Sequence, residues 1–202
     1  MLNVKPKMTR ETPKTDEELA EAYQKGDAAA FKLLIDRYID PIFSYIFRLT
    51  KNRQDTEDIS QDTFVRVWKG FSTYHSSSAF RPWIFSIAHN CAIDFFRKKR
   101  ELVFSDFAEA DSEQDLFSRE LSDPLPLAEE LIAKVEDKEL VEKLVSELPA
   151  HLRSVVLLHS IEEMTFEEVA IALGRPRNTV KSQYRRALLS MEKGLIAAVH
   201  PK

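Results

Sequence analysis

An all-α fold is predicted for this chain of 202 residues, with two helical domains joined by an acidic flexible linker. Apolar residues recur at helical spacing over residues 15–100 and again over residues 127–202. Residues 101–126 show no clean period, and two prolines near their end discourage a continuous helix into the C-terminal segment. That C-terminal segment also carries the pattern of one helix, a sharp turn and a second helix.

Charge is distributed unevenly along the chain, whose net charge is −4. Residues 1–100 hold 17 basic and 13 acidic side chains, residues 101–147 hold 4 and 15, and residues 148–202 hold 8 and 5. The three blocks therefore carry +4, −11 and +3, which sum to −4. Two mildly basic blocks are separated by a strongly acidic one, and the basic blocks are suited to a nucleic-acid partner.

The composition argues against several classes of protein. No apolar run approaches the roughly 20 residues that span a bilayer, and the N-terminus lacks the hydrophobic core of a signal peptide. We therefore expect a cytoplasmic protein without membrane insertion. Cys91 is the only cysteine, so this chain cannot form an internal disulfide or a zinc–thiolate cluster. Because no nucleophile–base pair, phosphate loop or metal spacing is present, we expect no enzyme activity, no cofactor and no small-molecule substrate.

Helices are predicted from Thr15 onwards, after a flexible tail over residues 1–14. Thr15 and Glu18 form a capping-box pattern at the start of a short first helix. Asp27 is the expected cap of a longer second helix, whose apolar residues are typical of a packed core. Pro41 predicts a kink or a junction within this second helix.

A third, amphipathic helix is predicted from Asp55, its expected cap, to Trp68. Its exposed face carries polar residues spaced three or four apart, which are either merely solvated or bind a partner. These residues are Asp58, Gln61, Asp62 and Arg66. A serine-rich loop over residues 70–79 comes next, and its aromatic residues Phe71 and Tyr74 either pack into the core or stack on an unpaired base.

A long fourth helix is predicted from Pro82, a residue that suits a first helical turn. Cys91 lies on its apolar stripe, which indicates a small core residue rather than a nucleophile. The helix ends in four basic residues from Arg97 to Arg100. This cluster either complements the helix C-terminus or binds a phosphate backbone.

The segment from Thr165 to Met191 has the spacing of a helix-turn-helix. Gly174 can end the first helix in the left-handed conformation, and Pro176 suits the start of the second. The second helix carries donors for phosphates and major-groove base edges, with no acid before Glu192. A solvated basic hairpin is the alternative, but the segregation of charge favours DNA. The donors are Arg177, Asn178, Thr179, Lys181, Ser182, Gln183, Arg185 and Arg186, with Arg175 in the turn.

Five short motifs occur in succession along the two helical segments. They are DTEDISQDTF at 55–64, FRPWIFSIAHNCAIDFFR at 80–97, ELP at 147–149, TFEEVA at 165–170 and TVKS at 179–182. Together they resemble the bacterial extracytoplasmic-function (ECF) sigma factors of the sigma-70 family. The resemblance covers about residues 15–100 and 127–195, in the family's order.

The resemblance implies a specificity factor that joins core RNA polymerase, directs it to a promoter and helps to open the duplex. The exposed face with Asp58, Gln61, Asp62 and Arg66 would dock on the polymerase, although the family usually has Glu at position 62. The loop and the fourth helix would read the −10 element as a single strand with a flipped base. The residues implied are Phe71, Tyr74, Trp83, Asn90, Asp94, Arg97 and Lys98.

The resemblance also assigns residues 127–202 to duplex recognition at the −35 element, through the donors of the helix-turn-helix. It implies an anti-sigma factor as a further partner, and an acidic linker that either enters the polymerase channels or serves as a solvated tether. The alternative is a two-domain transcriptional regulator without direct sigma activity, in which residues 15–100 sense a ligand or partner. The basic, aromatic N-terminal block argues against a small-molecule sensor.

Overall fold

The computed structural model describes residues 14–75, 78–103 and 137–199, and every regular element in these ranges is helical. The N-terminal domain comprises α1 (Asp16–Gln24), α2 (Ala28–Thr50), α3 (Arg53–Gly70), a 3-10 turn (Phe71–Thr73) and α4 (Phe80–Val103). The C-terminal domain comprises α5 (Lys138–Glu147), α6 (Ala150–Val156), a π-helical turn (Leu157–Ile161), α7 (Phe166–Leu173) and α8 (Arg177–Val199). The predicted all-α class with two helical domains is confirmed.

The predicted tail and linker fall largely outside the described residues. Only Lys14 of the tail is described, and so are residues 101–103 of the linker. Residues 101–103 form the last residues of α4, which ends at Val103. Among the described residues, no helix is both long enough and apolar enough to cross a membrane.

Local capping signals begin the first two helices where the sequence predicts. The Thr15 hydroxyl accepts from the Glu18 N–H at 3.2 Å, and the Glu18 carboxylate accepts from the Thr15 N–H at 2.8 Å. The Asp27 carboxylate accepts from two backbone N–H groups at the start of α2. This helix runs through Pro41 to Thr50, so no junction divides it.

Two predicted helix starts are wrong. α3 begins at Arg53 rather than Asp55, because the Asn52 side chain accepts from the Asp55 N–H at 3.0 Å and caps the helix earlier. α4 begins at Phe80 rather than Pro82. The Phe80 N–H donates to Glu17 Oε1 of α1 at 3.1 Å, a long-range cap that local sequence patterns do not reveal.

The two domains share one continuous apolar core. In the N-terminal domain, the side chains of Tyr45, Phe80 and Phe85 are fully buried, and Cys91 is buried on α4 as predicted. In the C-terminal domain, the buried residues include Leu158 and Val169. Contact between the domains is made chiefly by α4 and α7, which pack along each other.

Candidate nucleic-acid and partner interfaces

α7 and α8 form the predicted helix-turn-helix. Thr165 caps α7 through a capping box, in which its hydroxyl accepts from the Glu168 N–H at 3.3 Å and the Glu168 carboxylate accepts from the Thr165 N–H at 2.8 Å. Gly174 ends the helix in the left-handed conformation, with φ at +61°. The Pro176 carbonyl accepts from the Val180 N–H at 3.1 Å. Only three residues, 174–176, therefore separate the two helices.

The outer face of α8 carries most of the predicted donors. The apolar stripe that faces the core is buried and consists of Val180, Tyr184, Ala187, Leu188 and Met191. The exposed donors are Arg177, Asn178, Lys181 and Arg186, and the half-buried ones are Arg175, Thr179, Ser182 and Arg185. Gln183 is only 7% exposed, so it does not belong to this donor face.

The donors at the start of α8 contact α7. Arg177 Nε lies 3.6 Å from Glu167 Oε2, and both side chains are mostly exposed. The ammonium of Lys181 lies 5.8 Å from the centre of the Phe166 ring. Because an exposed ion pair contributes only about 0–1 kcal/mol, Arg177 can exchange Glu167 for a phosphate or a base at little cost.

His89 of α4 is buried and is influenced by the charge of Arg175 in the turn. Burial, and to a lesser extent the charge of Arg175, lowers the pKa of His89 on α4 to about 4. The His89 imidazole is held by Tyr45, whose hydroxyl lies 3.0 Å from Nδ1. Arg175 is half-buried in the turn, unlike the exposed donors of α8.

The polar face of α3 is present as predicted. Asp58, Gln61 and Asp62 are exposed, whereas Arg66 is half-buried. Arg66 Nη2 lies 2.8 Å from Asp62 Oδ2, and its Nη1 donates to Asp94 Oδ2 of α4 at 3.1 Å. The hydrogen bond that Arg66 donates to Asp94 raises the pKa of Arg66 above its ordinary value. Arg66 thus joins the face of α3 to α4 instead of projecting freely from it.

Two exposed apolar residues extend the surface of α3 beyond the residues predicted from the sequence. Val65 continues the face of Asp58, Gln61 and Asp62 at helical spacing, and Trp68 is 59% exposed although its position predicts a core residue. The spacing of 58, 61, 62 and 65 is the signal that predicts the longer face. A large exposed apolar side chain that adjoins a polar binding face indicates that it belongs to the same interaction surface.

The loop aromatics are core residues. Phe71 and Tyr74 are only 2% and 3% exposed. Their rings lie 6.0 and 5.4 Å from that of Phe80, and the Tyr74 hydroxyl donates to the Ser78 carbonyl. The 3-10 turn carries Phe71 inwards under α1, so the predicted stacking of these two rings on a base is wrong for this conformation. The alternative prediction, packing into the core, is correct.

The other predicted −10 residues are distributed along α4. Asn90, Arg97 and Lys98 are exposed, and Trp83 is half-buried with its ring 4.9 Å from that of Tyr74. Asp94 is partly buried and accepts from Arg66 and from Arg97, whose Nη2 lies 3.2 Å from Asp94 Oδ1. The amide of Asn90 and the ammonium of Lys98 are thus exposed to a ligand, whereas Arg97, although exposed, is ion-paired with Asp94.

An open groove lies next to the end of α3. Its volume is about 670 Å³. The indole of Trp68 and the ammonium of Lys69 are exposed within it, together with the Ser72 hydroxyl. An exposed aromatic ring beside a cation can stack on a base while the cation approaches the phosphate. This groove therefore offers the kind of surface that the buried rings of Phe71 and Tyr74 do not.

The chain matches two protein-family models in order along its length, Sigma-70 region 2 over residues 34–101 and Sigma-70, region 4 over residues 138–191. It is 30% identical over 173 residues to the ECF RNA polymerase sigma factor SigW of Bacillus subtilis, which covers 85% of this chain and 92% of that protein. The chain belongs to the ECF sigma factors. As an alternative sigma factor of the sigma-70 family, it directs transcription initiation.

Other sigma factors are similar over most of their length. The RNA polymerase sigma-H factor of Pseudomonas aeruginosa is 29% identical over 185 residues, which are 91% of this chain and 95% of that protein. Among solved structures, CnrH in complex with the cytosolic domain of CnrY has a TM-score of 0.64 at 24% identity, covering 90% of this chain and 97% of that chain. RpoE of Bartonella quintana in complex with the anti-sigma factor NepR has a TM-score of 0.61 at 23% identity, covering 82% and 96%. These likenesses agree with the fold described above.

Membership of the ECF sigma factors decides between the two functions considered from the sequence. A regulator without sigma activity would need the helix-turn-helix alone, whereas this sigma factor matches the family in both domains. Sigma factors are DNA-binding initiation factors rather than catalysts.

Proposed function

We propose that this sigma factor binds core RNA polymerase through α3, captures the −10 element as a single strand beside α4, and binds the −35 element as a duplex through α8. The observation that carries the proposal is the outer face of α8, where three exposed donors lie in the first turns after the turn of a helix-turn-helix and a fourth lies further along. Such a helix enters the major groove by its first turns.

At the −35 element, Arg177, Asn178 and Lys181 read base edges, because they lie in the first turns of α8. Arg185 and Arg186 lie further along and contact the phosphate backbone. Thr179 and Ser182 are half-buried, and their short side chains donate hydrogen bonds to the DNA backbone or to base edges. Arg175 in the turn is half-buried and belongs to the same −35 set.

At the polymerase, Asp58, Gln61 and Asp62 form the centre of the docking face, and Val65 extends it with an apolar contact. Arg66 supports the face from behind through its ion pair with Asp62. A mixed surface of this kind combines electrostatic complementarity with apolar burial.

At the −10 element, Asn90, Arg97 and Lys98 bind the exposed strand, with Trp83 and Asp94 as supporting residues. The groove with Trp68 and Lys69 takes an unpaired base. Unstacking a base costs a few kcal/mol, and stacking on an aromatic side chain contributes about 1–3 kcal/mol in return. Capture of the strand therefore needs no catalytic residue and no cofactor.

The remaining predictions from the sequence form part of the same proposal. The protein acts in the cytoplasm, where the polymerase is, and an anti-sigma factor binds it until transcription is needed. Its linker over residues 101–126 keeps the basic domains from adhering to DNA nonspecifically, because it carries the acidic excess of the chain.

Run-off transcription with purified core polymerase tests the proposal. The template is a pool of genomic fragments, and the transcripts are sequenced. We expect this protein alone to start transcription at sites that share two spaced sequence elements. Stimulation that appears only when another sigma factor is added would instead identify a regulator. Core polymerase alone serves as the control for nonspecific starts.

A further inference from the structure

Three aromatic rings pack together where the π-helical turn meets α7 and α8. The imidazole of His159 stacks on the ring of Phe166, with the two ring centres 4.0 Å apart and their planes 22° apart. The ring of Tyr184 meets both edge-on, 4.7 Å from the centre of His159 and 5.4 Å from that of Phe166. Stacked and edge-to-face arrangements are the favourable geometries for aromatic pairs. The cluster therefore holds the ring of Phe166 in a defined orientation beside α8.

Polar contacts hold this cluster in place. His159 Nδ1 lies 2.6 Å from the carbonyl oxygen of Met164, and because a carbonyl only accepts, this nitrogen donates. The hydroxyl of Tyr184 lies 3.1 Å from that of Ser160. His159 and Ser160 both belong to the π-helical turn, a rare kind of element that is frequent at functional sites. The turn thus supplies one ring and one hydroxyl to the support of Phe166.

The ring of Phe166 also carries a cation from α8. The ammonium nitrogen of Lys181 lies over the ring, 5.8 Å from its centre. Phe166 is half-buried, whereas Lys181 is exposed in the first turns of α8. An aromatic face attracts an ammonium group at this distance through its quadrupole. Lys181 therefore has a preferred position in the free protein, before any DNA is bound.

The first turn of α7 treats the two cations at the start of α8 differently. Glu167, the neighbour of Phe166, lies 3.6 Å from Arg177 Nε and forms an ion pair with it. Arg177 must release this carboxylate before it can bind an anion or a base. The Phe166 ring instead attracts Lys181 without neutralising its charge. Lys181 is therefore restrained and still carries its full charge for a ligand.

A lysine that reads a base gains from such a restraint. Its ammonium group sits on a flexible four-carbon stem, and ordering this stem on binding costs side-chain entropy. A side chain that is already held in the bound position loses less entropy, and its affinity is correspondingly higher. A base edge is read only by a donor at the right position, whereas a phosphate attracts a cation from many positions. The restraint thus favours base reading over nonspecific contact.

We propose that Phe166 is a positioning residue for the −35 element, whose ring restrains Lys181 so that its ammonium group meets one base edge. The inference rests on the proposed function, because it takes Lys181 as a base-reading side chain. Phe166 acts through Lys181 and not by its own contact with DNA. Its contribution is therefore discrimination at one base pair.

Binding of the full-length protein to duplex DNA tests this proposal. The parent protein first selects a preferred duplex from a random pool, and a panel with single base-pair substitutions is made from it. Phe166→Leu removes the ring and keeps an apolar side chain, whereas Phe166→Tyr keeps the ring. Lys181→Met removes the charge and keeps the stem. Glu167→Gln is the matched control, since Glu167 adjoins Phe166 but contacts Arg177.

We expect Lys181→Met to lose discrimination at one base pair. Phe166→Leu should lose part of the discrimination at that same pair and bind the preferred duplex about two- to fivefold less tightly. Phe166→Tyr and Glu167→Gln should discriminate at this pair as the parent does. In the Lys181→Met background, Phe166→Leu should have no further effect, because the cation that the ring restrains is gone.

A uniform loss of affinity of Phe166→Leu for every duplex would overturn the proposal, because the ring would then only support the fold. An equal loss with and without Lys181 would overturn it as well. If Lys181→Met keeps the base preference of the parent, base reading by Lys181 in the proposed function is wrong, and the inference fails with it. If Lys181→Met changes this preference and Phe166→Leu does not, only the inference fails.

Circular dichroism establishes whether Phe166→Leu is folded, and if it is not, Phe166→Met takes its place as an apolar residue that adapts to irregular gaps. A measurement on the parent is independent of either variant. In protein labelled with ¹³C-lysine, the Cε protons of Lys181 are assigned by their loss in Lys181→Met. The ring current of Phe166 should shift these protons upfield, and their appearance at the position of an ordinary exposed lysine would overturn the proposal.

Discussion

At the scale of single residues, the donors of α8 divide into two groups that should fail differently. Asn178→Ala removes a base-reading side chain, so we expect a loss of about 1–3 kcal/mol on the preferred −35 sequence and weaker discrimination at one base pair. Arg186→Ala removes a phosphate contact, so all sequences should bind less tightly and the salt slope should fall by about one. Binding to singly substituted duplexes at several salt concentrations measures both effects.

If both substitutions lower affinity for every duplex alike, α8 holds DNA without reading it. Lys193→Ala serves as a control, because Lys193 is an exposed cation of α8 well beyond the first turns. It should leave base preference unchanged.

The docking face of α3 gives a second prediction at this scale. Replacing both Asp58 and Gln61 by Arg reverses the charge of the face without touching the core, since both side chains are exposed. We expect core polymerase binding and transcription to be lost while helicity and thermal stability are retained. Affinity is measured by the binding of each variant to immobilised core polymerase. Glu21→Arg on α1 is the control, because it reverses an exposed charge away from the docking face. Retention of full affinity by a folded double variant would contradict the assignment.

His89 predicts how stability depends on pH. Burial lowers its pKa from 6.5 to about 4, so the unfolded chain binds more protons between these pH values. The stability contributed by neutral His89 is therefore complete above about pH 6.5 and is lost as the pH falls towards 4. We expect roughly 2 kcal/mol of this loss between pH 7 and pH 5.

Urea unfolding of the parent and of His89→Gln at the two pH values isolates this contribution. Other groups titrate over the same range, so the prediction concerns the difference between the two proteins. Gln can still hydrogen-bond to Tyr45, and its side chain does not titrate. Equal losses of stability on acidification would show that His89 is not the group responsible.

At the scale of elements, Gly174 tests the turn of the helix-turn-helix. Its φ is +61°, and a Cβ added there would meet nothing within 4 Å, so the only penalty of a substitution is backbone strain. We expect Gly174→Ala to lower the free energy of unfolding by about 1–2 kcal/mol and Gly174→Asn to lower it less, because Asn tolerates the left-handed conformation. Denaturant unfolding of the two variants provides the comparison, and an equal loss in both would contradict it.

The elements also show where the sequence is sufficient and where it is not. The Thr15 capping box, the Asp27 cap and the turn at Gly174 are determined by local spacing, and the structure confirms them. The start of α4 depends instead on Glu17 of another helix, and the burial of Phe71 depends on how the 3-10 turn meets α1. Such long-range contacts leave no local periodicity, so the sequence predicted the start of α4 wrongly and left two alternatives open for Phe71.

The candidate interfaces show the same division. The outer face of α8 is predictable because one helix supplies all its donors. The ion pair of Arg66 is not predictable from the sequence, because its partner Asp94 lies on a different helix.

At the scale of the whole molecule, the acidic excess between the domains should oppose binding to free DNA. Neutralising the acids at 106, 109, 111, 113 and 115 as amides removes five negative charges. We expect tighter binding of the free chain to duplex DNA at low salt, and little difference at high salt, because exposed charges beyond about 10 Å are screened at 0.1 M. Fluorescence anisotropy across a salt series measures this. A gain that persists at high salt would point to a cause other than charge.

The hydrogen bond from Phe80 to Glu17 has a consequence for where this protein can be truncated. The family match for region 2 begins at residue 34, after α1. Yet α1 supplies the cap for the first turn of α4 across a sequence separation of 63 residues. A fragment whose boundary coincides with the family match would therefore leave the first turn of α4 without this cap, in the helix that we propose binds the promoter strand. We therefore expect a fragment of the N-terminal domain to need α1, starting no later than Thr15, for the start of α4 to keep its cap.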